Sequence, residues 1–179
     1  MITNLSQILE QGPVRLEPLG EHHIEPLRAA CAEDQDIWKI YPVNMLGDGF
    51  DQAMRRFHDL KSWVRFAVIN TKTGNVVGMT NYINPDPFGV VEIGGTYIAP
   101  SVRGGGFNGV MKKVMIDHAF NNGFSCIEFR VDTRNKRSIS AVMKLGAKHE
   151  GTLRKNRITW TGYVRDTALF GLLKKEWAG

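Results

Sequence analysis

The run from Val90 to Gly109 constrains this chain more than any other. An apolar, β-branched stretch, Val90-Val91-Glu92-Ile93-Gly94-Gly95-Thr96-Tyr97-Ile98, leads through Ala99-Pro100 into the glycine-dense turn Arg103-Gly104-Gly105-Gly106-Phe107-Asn108-Gly109, and an amphipathic segment opens at Val110. Strand, glycine turn and helix start in that order leave backbone N–H groups unpaired at the helix N-terminus, where aligned peptide dipoles favour an anion. Glycines there keep β-carbons away from a bulky pyrophosphate. The pattern G-x-G-x-x-G can be traced through Gly104, Gly106 and Gly109. That dinucleotide fingerprint, however, opens the first βαβ unit of its domain, whereas this turn lies mid-chain. A phosphorylated cofactor is the expectation, and a bare structural turn is the alternative.

Around this centre the pattern predicts a short strand over 14–19, a helix over about 21–35 and an irregular aromatic stretch from Trp38 to Gly49. A second helix follows over about 50–60, and then a hairpin of strands 63–69 and 76–82. After strand 90–98 come a helix over 109–122 closed by Gly123, a strand over 127–132, a helix over 135–145 closed by Gly146, and two strands over about 148–160 and 164–173. A βαβ-like middle with hairpins at both ends predicts a mixed α/β fold. The length, 179 residues, fits one domain over 1–179.

Composition excludes several classes. The chain is 42% apolar and 23% charged, ordinary for a globular protein. It has no run of about 18 apolar residues, so no spanning helix and no membrane partner are expected. The N-terminus does not read as a signal peptide, and only Cys31 and Cys126 occur, which fits a reducing, cytoplasmic setting. The five histidines lack metal-ligand spacing, so no metal is expected. Residues 130–165 hold ten Lys/Arg against two Asp/Glu. That surplus suggests an anionic partner, such as the phosphates of a cofactor, RNA or an acidic protein; a solvated basic face explains it equally well.

Arg103-Gly104-Gly105-Gly106-Phe107-Asn108 resembles the R-x-x-G-x-G/A signature of the GNAT acetyltransferases, with Asn108 in place of the usual Gly or Ala. The segment Asp132 to Arg154 contains N-x-x-S-x-x-A-x-x-x-L-G-A-x-x-E-G-x-L-R, which is similar to the branch of ribosomal-protein N-terminal (alanine/serine) acetyltransferases. Gly162 to Thr167 and the closing Glu176-Trp177 look like that branch too. The resemblance implies the GNAT fold: a mixed, mostly antiparallel sheet, splayed at a bulge and flanked by helices on both faces. Gly94 and Gly95 are the expected break.

The resemblance further implies an N-acetyltransferase that moves an acetyl group from acetyl-CoA to a primary amine by direct attack in a ternary complex. The acceptor is a protein N-terminal α-amine, with a ribosomal protein as partner, or a small amine such as a polyamine, amino acid or antibiotic. A non-catalytic CoA sensor or ribosome-binding module is the rival, and a homodimer is a family habit. Tyr97, Ile98 and Ala99 are expected to meet the pantetheine by main chain, Arg103 through Gly109 to hold the diphosphate, and Asn135 to bond the arm. Ser138 is expected near the sulfur.

Acetyl transfer needs a neutral amine, a donor to the carbonyl oxygen and relief of the departing thiolate. Glu92 is the candidate base. Simple alternation puts residues 92, 94, 96 and 98 on one side, where small or apolar neighbours would raise its pKa. Backbone N–H groups around Tyr97 and Ile98 are the candidate donors. The family's acid, a Tyr seven residues after the Asn, is Val142 here, which leaves Ser138 as the candidate. Trp38, Tyr41, Met45 and Phe50 are candidates for the acceptor wall; Asp166 either steers the amine or pairs within its hairpin.

Overall fold

The computed structural model describes residues 4–178. Eight strands form one sheet: β1 (Leu9–Gln11), β2 (Val14–Pro18), β3 (Trp63–Asn70), β4 (Asn75–Ile83), β5 (Val90–Ile98), β6 (Cys126–Asp132), β7 (Lys148–Ile158) and β8 (Val164–Leu173). Their order is β1-β2-β3-β4-β5-β6-β8-β7, antiparallel throughout except for the parallel pair β5–β6. The helices are α1 (Ile24–Ala32), α2 (Asp48–Asp59), α3 (Phe107–Asn121) and α4 (Lys136–Lys144). The mixed α/β expectation holds. The three-residue β1 was not foreseen, and α3 starts at Phe107 rather than at Gly109.

Two cores follow from the two faces of the sheet. On one face Leu16, Phe66, Val68, Tyr82, Val91, Ile93 and Phe129 meet Met111, Met115, Ile116 and Phe120 of α3 and Val142 of α4. The buried Tyr82 hydroxyl there donates to the Met115 carbonyl at 2.6 Å. On the other face Leu27 and Cys31 of α1, Trp38, Met45, and Phe50 and Phe57 of α2 pack on Met79 and Tyr97. Each such large apolar side chain contributes about 1.5–3 kcal/mol by leaving water.

The centre of the sheet is built to separate. β5 and β6 pair only at Val90–Cys126, Val91–Ile127 and Glu92–Glu128, so β5 runs on from there without a partner on that side. Against β4 the register shifts: Asn81 faces Gly94 while Met79 faces Tyr97, which inserts an extra residue into β5 at Gly95. Gly95 has φ +57, a conformation natural to glycine. At the far edge β7 is exposed along nearly its whole length and breaks register between Leu153 and Arg157, with Lys155 at φ 48.

Candidate active site

The bulge at Gly95 changes which residues share a face, and this corrects the simple alternation. Ile93 belongs to the α3 core, whereas Tyr97 belongs to the α1–α2 core, although four positions separate them. Glu92 and Gly94 therefore lie on the α1–α2 face, and Thr96 and Ile98 on the other. Glu92 leans along the strand: a β-carbon added at Gly94 would lie 2.7 Å from Glu92 Oε1. Burial pushes its carboxyl above the usual carboxylate range, with Arg130 and Arg157 pulling the other way. The guanidinium Nε of Arg130 stands 3.4 Å from Glu92 Oε2 but makes no aligned hydrogen bond, so the carboxylate keeps free lone pairs.

Ladder parity decides which amides face the split. Ala99 donates to the Val77 carbonyl at 2.7 Å, so Tyr97, two residues earlier, also turns its N–H toward β4. Ile98 and Thr96 have the opposite parity and present their N–H groups to the split. Of the donors expected around Tyr97 and Ile98, only Ile98 faces the gap, and Tyr97 instead lends its buried ring to the core and its hydroxyl to the Ala30 carbonyl (2.7 Å).

At the mouth of the split, Gly104 and Gly106 adopt φ +83 and +82, and added β-carbons at Gly104, Gly105, Gly106 and Gly109 would meet nothing within 4 Å. Gly106 caps α3 without a side-chain hydrogen bond, and Phe107 anchors the turn in the core at 6% exposure. The backbone N–H groups from Gly104 to Gly109, Asn108 included, have no hydrogen-bond partner among the described residues. This open arc of amides fits a diphosphate. Arg103 does not reach into it. Its Nε donates to the Ile98 carbonyl (2.9 Å) and its Nη1 to Asp34 (2.5 Å), tying the turn to the end of α1. Burial opposes ionisation of Asp34, but Arg103 and the Ile37 N–H hold its carboxyl below the usual range.

Other candidates are placed less simply. Asn135 caps α4 by accepting from the Ser138 N–H at 3.0 Å, so the helix start already occupies its carbonyl oxygen. Trp38 and Phe50 are 1% and 0% exposed, which removes them from the acceptor wall and makes them core, as is Met45. Tyr41 remains half-buried, and its hydroxyl donates to the Thr96 carbonyl at the split (2.5 Å). Asp166 accepts the Lys155 N–H at 2.7 Å, which fixes the β7 bulge; its hairpin partner is main chain rather than an arginine. Of the basic segment, Arg130, Arg134 and Arg165 engage the protein's own Glu128, Asp132 and Thr167.

Sequence reasoning missed Asn81 and Lys112. Asn81 is fully buried; its Nδ2 donates to the carbonyls of Gly94 (3.0 Å) and Gly95 (3.3 Å), and its Oδ1 has no hydrogen-bond partner among the described residues. An Asn amid a strand of apolar neighbours was the available signal. A cluster of Glu17, His22 and His23 was also unforeseen. Its chemistry does not suit a metal: Gly20 N–H donates to His23 Nδ1, so the proton sits on Nε2, which faces Glu17.

A β5 that leaves its parallel neighbour at a glycine bulge, with a bare amide arc at the following helix, is matched by a family model. Residues 14–148 match the acetyltransferase (GNAT) domain. The chain belongs to the GNAT acetyltransferase family. This GNAT domain is similar to a GCN5-related N-acetyltransferase from Brucella melitensis, at 27% identity and TM-score 0.86 over 96% of this chain and 80% of that one. Two further structures share the fold at 17% identity and TM-score 0.76: spermidine N-acetyltransferase from Vibrio cholerae in complex with CoA and spermine, covering 94% of this chain and 100% of that one, and ribosomal-protein-S5-alanine acetyltransferase from Vibrio fischeri, covering 97% and 100%. No curated protein matches the sequence. Among the described residues no helix is long and apolar enough to cross a membrane.

Proposed function

We propose that this GNAT domain transfers an acetyl group from acetyl-CoA to the α-amine of a peptide or amino-acid acceptor. The observation that carries the reading is the pairing of a buried, weakly partnered Glu92 carboxylate with the free amide arc of Gly104–Gly109, one at each end of the split. When bound, acetyl-CoA supplies the activated acyl group. The arc of N–H groups grips its diphosphate, and the unpaired edge of β5 receives the pantetheine as a strand would. The Ile98 N–H supports the carbonyl oxygen as charge builds there.

Glu92 accepts the proton that the acceptor ammonium must lose, directly or through a water, and its raised pKa brings its basicity nearer to that task. Asn81 Oδ1, on the same face of the sheet, offers the incoming amine a second acceptor. Ser138 remains the proposed donor to the departing sulfur: its hydroxyl sits in the first turn of α4 and its N–H is already engaged with Asn135. Asn135 keeps its Nδ2 for the pantetheine arm.

A cavity of about 540 Å³ on the α2 side, lined by Pro42, Asn44, Gln52, Arg56 and Trp160 among others, supports this choice of acceptor. It begins one residue beyond Tyr41, whose hydroxyl touches the split. Its lining contains Arg56 and no carboxylate, which suits peptide carbonyls or a carboxylate and repels a polycation. Thiol release from acetyl-CoA across a panel of amines tests the reading. Peptides with N-terminal Ala or Ser and free amino acids should turn over, spermine should not, and Glu92→Gln should lose most of the activity. Binding without release for every amine would instead identify a CoA sensor.

A further inference from the structure

Lys112 occupies a helix position that should be apolar. It lies on α3 between Met111 and Met115, 6% exposed, with no described carboxylate within ion-pair distance. Its Nζ donates to Thr96 Oγ1 at 2.7 Å; Thr96 Oγ1 lies 2.8 Å from Thr80 Oγ1, and Thr80 Oγ1 lies 3.5 Å from Met115 Sδ. The thioether has no hydrogen to give, so Thr80 donates to it, Thr96 donates to Thr80, and Thr96 accepts from Lys112. A chain that runs from an amine to a thioether neutralises no charge. An ammonium buried on such a chain loses hydration without compensation, whereas a neutral amine spends one N–H on Thr96 and keeps a free lone pair. Burial accordingly brings the group down to about 7, against the opposing pull of the Glu92 charge.

Thr96 belongs to the unpartnered length of β5, so this amine stands one side chain from the strand edge where the proposed acyl donor lies. From this placement we infer that Lys112 is a self-acetylation site, a reading that rests on acetyl-CoA binding as proposed above. The Nζ lone pair forms a C–N bond with the acetyl carbonyl carbon as the C–S bond breaks. The electron pair leaves on sulfur, and the proton lost by nitrogen ends there, giving free CoA thiol. The product amide is neutral at every pH and cannot return the acetyl group to an amine acceptor under these conditions. Modification therefore fills the floor of the split when donor is present and acceptor is scarce.

The test needs no known acceptor. Purified protein is incubated with acetyl-CoA alone at neutral pH, and each lysine is followed by peptide mass spectrometry over time, while calorimetry measures acetyl-CoA binding separately. Lys148, held protonated by its ion pair with Glu176, serves as the internal control. At neutral pH an amine titrating near 7 has roughly a thousandfold more neutral form than an ordinary lysine. Lys112 should then be acetylated at least roughly tenfold faster than Lys148, the remaining advantage being spent on restricted access. The lead should vanish in urea and in the presence of excess CoA, and Lys112→Met should remove the modification. Binding of acetyl-CoA with Lys112 no faster than Lys148 overturns this inference alone. Absence of binding overturns the acetyl-CoA reading and this inference with it.

Discussion

Replacing Gly95 by alanine should separate two contributions that meet at the bulge. The residue sits at φ +57, and an added β-carbon would lie 2.6 Å from Asn81 Nδ2. Forcing an L-residue into the left-handed region costs roughly 1–2 kcal/mol. The β-carbon also pushes away the amide that donates to Gly94 and Gly95, and two lost hydrogen bonds at about 1 kcal/mol each add to the loss. The expected destabilisation is about 3–4 kcal/mol. Gly104→Ala is the matched control: its φ of +83 carries the same backbone cost, but nothing lies within 4 Å of the new atom. That variant should lose only about 1–2 kcal/mol. Urea unfolding followed by far-UV circular dichroism measures both, with an unchanged m-value confirming that stability alone has moved. Equal losses in the two variants would refute the claim that Asn81 clamps the bulge.

Other expectations concern the site. Gly105→Val fills space that is open in the structure at a position with no left-handed requirement, so stability should hold within about 0.5 kcal/mol while calorimetric CoA affinity falls at least tenfold. Glu92→Gln should lower turnover by about 10²–10⁴-fold with the best acceptor. The acid limb of the wild-type pH profile should lie above the ordinary carboxylate range, because burial raises the Glu92 pKa. For the same reason Glu92 favours the folded state when protonated and loses that contribution as pH rises through its folded pKa, so Glu92→Gln should be more stable than wild type at neutral pH. Asp34 has the opposite sign. Its lowered pKa supports the fold above its unfolded value and loses that support as pH falls through the folded value. Asp34→Asn should therefore cost about 1–3 kcal/mol at neutral pH in thermal unfolding and little in acid.

The element order was legible because its signals are local. Gly123 and Gly146 closed helices, Thr71 to Asn75 marked a hairpin turn, and the glycine-dense turn after Pro100 announced the start of a helix. What escaped depends on contacts distant in sequence. Glu92 and Thr96 seemed to share a face because alternation is a local rule, and only pairing with β4 reveals the extra residue that reverses it. Trp38 and Phe50 seemed free to meet an acceptor because aromaticity says nothing of burial. Arg103 read as a phosphate ligand until the fold brought Asp34 to it across 69 positions. Lys112 was hidden in its helix: the first of two adjacent lysines between two methionines reads as a surface residue until the helix is rotated onto the sheet.

The two rims of the sheet discourage other molecules from adding a strand. β1 is three residues long and gives a newcomer little to zip onto. β7 is long and accessible, but its kink at Lys155 and the neighbouring Arg154 and Arg157 interrupt any regular ladder with an irregular, cationic border. The remaining bare polar edge is interior, where β5 parts from β6 and bends at the Gly95 bulge. The protein can thus keep an unsatisfied β-edge in its interior without becoming a template for its own aggregation.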